Sequence, residues 1–277
     1  MPGGRQRVLL AGCGDLGTAV GQRLVATGHH VTGVRRRPDS GGAFEVRSVD
    51  LADPGSARLP QAEAVVVALS ADGPEAGAYE RAYRSTLRGL AAVLPQVPQR
   101  VVLVSSTGVL GDHHGVTATE ETEPAPTRTT AEVLLRAEQD ARDLFPNVVI
   151  LRPAGIYGPG RTRTIEKVLN AAPADHDRMT NRIHRDDLVS TIVTLLEARD
   201  PAALLHAVDA EPARYGDVLR FLAHRLGVPV PPHHGAGEPR GKAIDATRLH
   251  RLLGSLAYPT YREGYQALLA RDSPEQS

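Results

Sequence analysis

Short β-branched and aliphatic runs at 8–11, 31–34, 65–69, 101–104 and 148–151 punctuate the first half of the chain, without the polar alternation of a half-exposed strand. Such runs predict strands buried on both faces. The stretches between them, at 16–27, 79–94 and 130–144, repeat apolar residues every three or four positions, the spacing that gives a helix one apolar side. Strand and helix in alternation predict an α/β fold with a doubly wound parallel sheet, whose ligands belong at the carboxyl ends of the strands.

Beyond Tyr157-Gly158-Pro159-Gly160 the rhythm changes, and helical spacing dominates at 164–171, 187–197, 215–226, 245–253 and 262–270. This predicts a first domain over 1–160 and a small, mostly helical C-terminal substrate cap over 161–272, with segments that return to the core. Pro-, His- and Gly-rich stretches at 172–180 and 229–241 predict mobile loops able to close over a substrate. The last five residues predict a frayed end.

The 277 residues, 41% of them apolar, suffice for one large α/β domain or a nucleotide domain with a cap. A formal net charge of zero gives no electrostatic reason to expect nucleic acid or an anionic membrane as partner. No stretch approaches 18 uninterrupted apolar residues and no signal-peptide pattern opens the chain. The expectation is therefore a cytoplasmic enzyme with a small-molecule substrate, and no metal is expected. Cys13, the single cysteine, lies in a glycine-rich turn and reads as backbone packing rather than redox chemistry.

That turn, Gly12-Cys13-Gly14-Asp15-Leu16-Gly17, follows the first apolar run and opens the first predicted helix. A Gly-x-Gly-x-x-Gly pattern is informative in that setting, because it makes a tight turn, admits a pyrophosphate close to the backbone and presents a helix N-terminus to it. Gly12, Gly14, Asp15, Leu16 and Gly17 are accordingly candidate dinucleotide contacts in a Rossmann-type sheet. At the end of the second run an NAD site would carry a carboxylate for the ribose 2′-hydroxyl. Here stand Arg35-Arg36-Arg37. Guanidiniums bind a 2′-phosphate through charge-assisted, often two-pronged hydrogen bonds, so Arg35 and Arg36 point to NADPH. Asp50 and Leu51 suit the adenine edge, and Ala68, Leu69 and Ser105, at the ends of later runs, complete the expected coenzyme contacts.

Four further segments carry a resemblance: Ser105-Ser106-Thr107-Gly108-Val109-Leu110-Gly111, Leu151-Arg152-Pro153-Ala154-Gly155-Ile156-Tyr157-Gly158-Pro159-Gly160-Arg161, Asn181-Arg182-Ile183-His184-Arg185-Asp186-Asp187 and Tyr258-Pro259-Thr260-Tyr261-Arg262-Glu263-Gly264. With the glycine loop they span nearly the whole chain. The chain resembles the short-chain dehydrogenase/reductase superfamily in its extended, atypical, epimerase/dehydratase-like branches. The resemblance implies that Ser106 is the catalytic Ser/Thr, that Ser106 and Thr107 face a substrate carbonyl, and that Pro153 lines the nicotinamide pocket. It also implies substrate contacts from Tyr157, Arg161 and His184, a structural role in cap packing for Arg152 and Asp187, and a monomer or a homodimer.

One family feature is missing. The chain has two lysines, Lys167 and Lys242, with Arg163 and Glu238 four positions earlier, so no Tyr-x-x-x-Lys exists. Counting back from Glu138, the family's glutamate, puts Thr130 at the tyrosine position and Leu134 at the lysine position. A threonine hydroxyl is too weak an acid to donate near neutral pH, and leucine cannot assist it.

Three sources of the missing proton stay open: His113, His114, His184 or Tyr157 with Arg161; water held by Ser105, Ser106 or Thr107; or the substrate itself. In the last case a phenol beside an aromatic ketone delivers its proton intramolecularly, at high effective molarity. The chain is similar to the tyrosine-lacking ketoreductases of aromatic polyketide (angucyclinone) biosynthesis, which favours an NADPH-dependent ketoreductase acting on an aromatic ketone. A non-catalytic NADP-binding sensor and a nucleotide-sugar epimerase or dehydratase are the competing readings.

Overall fold

The computed structural model describes residues 5–37, 42–235, 237 and 240–271. The last five residues, part of the 229–241 stretch and residue 272 of the expected cap therefore lie outside the described residues. In chain order come β1 (Arg7–Ala11), α1 (Asp15–Ala26), β2 (His30–Arg35), β3 (Glu45–Ser48), β4 (Ala64–Val67), α2 (Ala76–Tyr79), α3 (Thr86–Val93), β5 (Arg100–Val104), β6 (Thr117–Ala118) and α4 (Thr129–Leu144). The second half holds β7 (Val148–Pro153), β8 (Gly155–Tyr157), α5 (Arg163–Leu169), β9 (Met179–Thr180), β10 (Arg182–His184), α6 (Arg185–Glu197), β11 (Leu204–Ala207), β12 (Ala213–Arg214), α7 (Tyr215–Leu226), β13 (Ala243–Ile244), α8 (Thr247–Leu253) and α9 (Tyr261–Arg271).

Seven strands form one sheet in the order β11-β7-β5-β4-β1-β2-β3, and the pairs β1–β2, β1–β4, β2–β3, β4–β5 and β5–β7 are parallel. The α/β, doubly wound fold expected from the alternating pattern is the one observed. Because successive side chains of a strand point to opposite faces, Leu9, Val65, Val101 and Ile150 share one face, with Leu87 and Leu90 of α3 and Ala137 and Ala141 of α4 in the same buried cluster. Each fully buried Val or Leu contributes about 1.5–3 kcal/mol, which is why these short runs tolerate no polar residue. Strand order reverses between β1 and β4, so the loop after β1 opens at the switch point where such sheets bind ligands.

Residues 79–94 are less regular than their spacing predicts, because a π-helical segment, Glu80–Ser85, separates α2 from α3. Thr86 Oγ1 donates to the Arg81 carbonyl (3.2 Å), and Tyr83 Oη donates to the Leu69 carbonyl (3.1 Å). Arg84 and Arg88 both reach Asp140 of α4.

The chain divides into two compact units, each discontinuous in sequence: Met1–Val109, Pro126–Arg152 and Val189–Leu205 in the first, and Leu110–Ala125, Pro153–Leu188 and His206–Ser277 in the second. The second unit centres on Tyr157, Ile165, Leu219, Leu222, Tyr261 and Tyr265. It is less purely helical than expected: β10 pairs with β8, β12 with β9 and β13 with β6. Its two Pro/His/Gly-rich segments are also joined to each other, Ala174 N–H donating to Pro232 O, His234 N–H to Ala174 O and Met179 N–H to Arg240 O. Among the described residues no helix is long and apolar enough to cross a membrane.

Candidate coenzyme and active site

The glycine loop is built by close backbone approach. Gly12 sits at φ +100°, and a Cβ there would lie 2.2 Å from the Ala68 carbonyl oxygen; one on Gly17 would lie 2.0 Å from the Gly12 carbonyl oxygen. Gly12 N–H donates to Val34 O (3.0 Å) and Ala68 N–H to Ala11 O (2.9 Å), stitching the loop between β2 and β4. At Gly14 a Cβ would meet nothing within 4 Å. The first and third glycines are thus required by the protein's own backbone, whereas the second borders open space. Gly14 also caps α1 and brings no side chain to that end, where the N–H groups of a helix's first turn face an incoming anion. This cradle fits a dinucleotide pyrophosphate. Leu16 and Cys13 are buried; burial pushes the Cys13 thiol up, in keeping with a packing role.

Around the loop stand the expected adenosine contacts. Arg35 ends β2. The Arg36 guanidinium is engaged with Asp72, Nη1 and Nη2 lying 2.5 and 2.6 Å from its two oxygens. Asp50 accepts from Arg81 (2.6 Å) and from Ala52 N–H (3.0 Å), and Leu51 is buried. Burial of the Tyr83 phenol against Leu69 pushes it up to about 12.

At the end of β5, Ser105 Oγ donates to Glu138 Oε1 (2.6 Å), while Arg152 donates to both oxygens of Glu138 (2.9 and 2.7 Å). Glu138 and Arg152 are only 0% and 2% exposed, so this is a buried, two-pronged ion pair. The Ser105 proton is committed to it. Arg152, expected in cap packing, belongs instead to the first unit as the partner of Glu138. Ser106 Oγ accepts from Gly108 N–H (3.0 Å), an arrangement in which its own proton can be donated. Thr107 is buried. Thr130, Leu134 and Glu138 all lie on α4 at one-turn intervals, and Leu134 is buried on the apolar side of that helix.

Within the second unit, Tyr157 and His184, expected as substrate contacts, are packed among aromatic rings. Tyr157 is 3% exposed, its ring 4.5 Å from that of Tyr265, and Gly264 packs so closely that a Cβ there would lie 1.9 Å from the Tyr157 oxygen. Burial drives its phenol well above the usual range. His184 is 2% exposed, edge-on to Tyr157 and 3.8 Å from the Tyr258 ring; its Nδ1 accepts from Asp186 N–H. Burial lowers the imidazole to about 4, so at neutral pH it holds no proton of imidazolium acidity. His113 Nε2–H donates to Leu110 O (2.9 Å), and His114 is exposed. Pro153 is buried, and Arg161 is half-buried at a turn closed by its N–H to Gly158 O.

The family model for NAD(P)H-binding proteins matches residues 12–199, two thirds of the chain. A protein from Methylobacillus flagellatus described as an NAD-dependent epimerase/dehydratase is 33% identical over 97% of this chain and 99% of that one, with a TM-score of 0.77. The chain belongs to this NAD(P)H-binding, epimerase/dehydratase-like family. The human epimerase family protein SDR39U1 (isoform 2) with NADPH shares the fold at 19% identity and TM-score 0.80, over 96% of this chain and 100% of that one. So does MoeE5 in complex with UDP-glucuronic acid and NAD, at 23% identity and TM-score 0.77, over 96% and 100%. No curated protein matches the chain.

Family membership leaves several charged groups outside the expected coenzyme and substrate contacts. Asp187, expected to be structural, accepts from the N–H groups of Ala257 (2.7 Å) and Tyr258 (3.0 Å). Lys242, one of two lysines, is half-buried; it donates to the Gly111 carbonyl, and burial lowers its ammonium. Asp209 is 1% exposed beside Arg182, and burial lifts its carboxyl to about 7. Asp175, Asp177 and His233 bring ligand atoms within 4.8 Å of one another. Arg240 faces the first carboxylate at 3.6 Å and Arg214 the second at 3.7 Å, which supplies their countercharge without a cation. A groove of about 490 Å³ lies at the amino ends of β1 to β3, away from the glycine loop, and carries none of these residues.

Proposed function

We propose that the chain is an NADPH-dependent ketoreductase acting on an aromatic ketone with a neighbouring phenol, of the kind found in polyketide-derived ring systems. The observation that carries the reading is the poverty of acids among the expected candidates. Leu134 and Thr130 stand at the Lys and Tyr positions, Ser105 is spent on Glu138, and His184 is neutral and buried. The phosphorylated coenzyme is favoured by Arg35 and Arg36 at the end of β2, and the substrate class rests on the acid-poor site.

When bound, NADPH supplies a hydride to the carbonyl carbon. Ser106, its oxygen already anchored by Gly108 N–H, donates its proton in a hydrogen bond to the carbonyl oxygen, where negative charge develops. The phenol of the substrate then gives its proton to that oxygen, and the resulting phenolate recovers one from water. Proximity makes the transfer effective without a side-chain acid. The glycine loop, Arg35 and Arg36 bind and orient; Glu138 and Arg152 fix the end of β5 on which Ser105 and Ser106 stand.

The nucleotide-sugar alternative has support in the fold shared with MoeE5, but its proton transfers need the Tyr/Lys pair that this chain lacks. A coenzyme-binding sensor would need the glycine loop and Arg35 but no acid. NADPH oxidation measured against hydroxyaryl ketones and quinones, with chromatographic product analysis of UDP-sugars incubated with the chain and NAD(P), whose epimerisation or dehydration consumes no net coenzyme, separates the three. Turnover confined to the aryl ketones is expected, turnover confined to UDP-sugars overturns the proposal, and tight NADPH binding without any turnover favours the sensor.

A further inference from the structure

Arg36, read above as a ligand of the coenzyme 2′-phosphate, faces a carboxylate of the chain's own. Its two terminal nitrogens meet the two oxygens of Asp72 at 2.5 and 2.6 Å, the fork-to-fork geometry that a guanidinium also offers to a phosphate. Asp72 stands five residues beyond the end of β4, in the loop that leaves the carboxyl edge of the sheet next to the glycine loop. Arg36 ends the same edge one residue after β2. Arg37 and Arg81 also attract the Asp72 carboxylate, and with Arg36 they hold it below the usual carboxylate range. Arg81 in turn donates to Asp50. The adenosine end of the loop is therefore a field of guanidiniums with a carboxylate set into it.

The contact is also replaceable. The two side chains are 50% and 66% exposed, so water can take over either half as the other leaves, and the pair is of the weak, surface kind. A 2′-phosphate brings more charge and a third oxygen to the same donors.

We propose that Asp72 is a coenzyme-specificity residue: it occupies the Arg36 guanidinium when no 2′-phosphate is present and competes with that phosphate for the same two nitrogens. The inference rests on the NADPH reading of Arg36. Its consequence is directional. Asp72 lowers the affinity for NADPH while leaving that for NADH, which has no 2′-phosphate, nearly untouched, so the chain discriminates between the coenzymes less than its arginines alone would allow.

Calorimetric titration of the purified full chain with NADPH and with NADH tests this without any substrate. Asp72→Asn should tighten NADPH by about two- to fivefold, the range of one exposed ion pair. NADH should move no more than it does for Asp53→Asn, an exposed carboxylate that serves as a charge control. In an Arg36→Ala background the gain from Asp72→Asn should vanish. If Asp72→Asn matches Asp53→Asn while Arg36→Ala still weakens NADPH, competition by Asp72 is refuted and the NADPH reading stands. If the parent binds both coenzymes equally and Arg36→Ala changes neither, the NADPH reading fails and this inference fails with it.

Discussion

Replacing Glu138 with Gln removes a negative charge from a place that water does not reach. The wild-type carboxylate receives Ser105 Oγ at 2.6 Å and Arg152 at 2.9 and 2.7 Å, with both members of the ion pair at most 2% exposed. An amide of the same shape keeps one acceptor oxygen and turns the other into a donor facing Arg152 Nη2, so the guanidinium is left charged and half-paired. Breaking a buried pair from one side costs about 3–5 kcal/mol, and the retained acceptor puts Glu138→Gln near 3. For a domain of this size that is a fall in Tm of roughly 6–12 °C. Arg152 Nη1 already lacks a partner, which means the pair is imperfect even in the parent. Replacing both ends, Glu138→Leu with Arg152→Met, should therefore cost less than either single change. Urea titration followed by circular dichroism measures the parent, Glu138→Gln, the single variants Glu138→Leu and Arg152→Met, and the double variant. A loss below about 1 kcal/mol for Glu138→Gln, or a double variant as unstable as the sum of the singles, refutes the reasoning.

The two outer glycines and the middle one should separate stability from binding. Gly12→Ala, at φ +100° and with its Cβ 2.2 Å from Ala68 O, should cost more than about 2 kcal/mol, whereas Gly14→Ala should melt within a degree or two of the parent and lose coenzyme affinity by tenfold or more in the same titration. Thr130→Ala should retain most of the ketone turnover, because no proton transfer passes through that hydroxyl; complete loss would make the position catalytic. Asp209, with its carboxyl lifted to about 7 by burial against about 3.9 in an unfolded chain, holds in the folded state a proton that the unfolded state has released. Its contribution to stability is therefore present below about pH 4 and lost as the pH rises through about 7. Asp209→Asn should flatten that decline in denaturation midpoints measured from pH 4 to 8, and an unchanged slope would show that Asp209 does not titrate there.

What could be read from the chain alone follows how local each cause is. The strands at 8–11, 101–104 and 148–151 and the helices beside them were legible because burial on both faces, or on one, leaves a short-range apolar pattern. The glycine loop was legible because Gly12 and Gly17 are imposed by backbone contacts within one turn and its neighbouring strand, with Gly14 set between them at a fixed spacing. Two- and three-residue strands such as β8 with β10 are too short to leave a period, and the π-helical turn within 79–94 does not disturb the apolar spacing. Long-range pairing was hidden for a different reason. Arg36 with Asp72, Ser105 with Glu138 and Asp187 with Ala257 join residues 36, 33 and 70 positions apart, and nothing in either partner's neighbourhood announces the other. His184 shows the same limit: the sequence presents a titratable ring, and only the packing of Tyr157 and Tyr258 around it makes that ring neutral and inaccessible.

The central claim is that the substrate, not a side chain, supplies the proton. Single-turnover reduction of a peri-hydroxyaryl ketone and of its O-methyl ether at saturating NADPH tests it directly. General acid assistance is worth roughly 10²–10⁴-fold, so the account predicts that the ether is reduced at least about a hundredfold more slowly while binding with similar affinity. Equal rates for the two ketones would contradict it and require an acid from the protein.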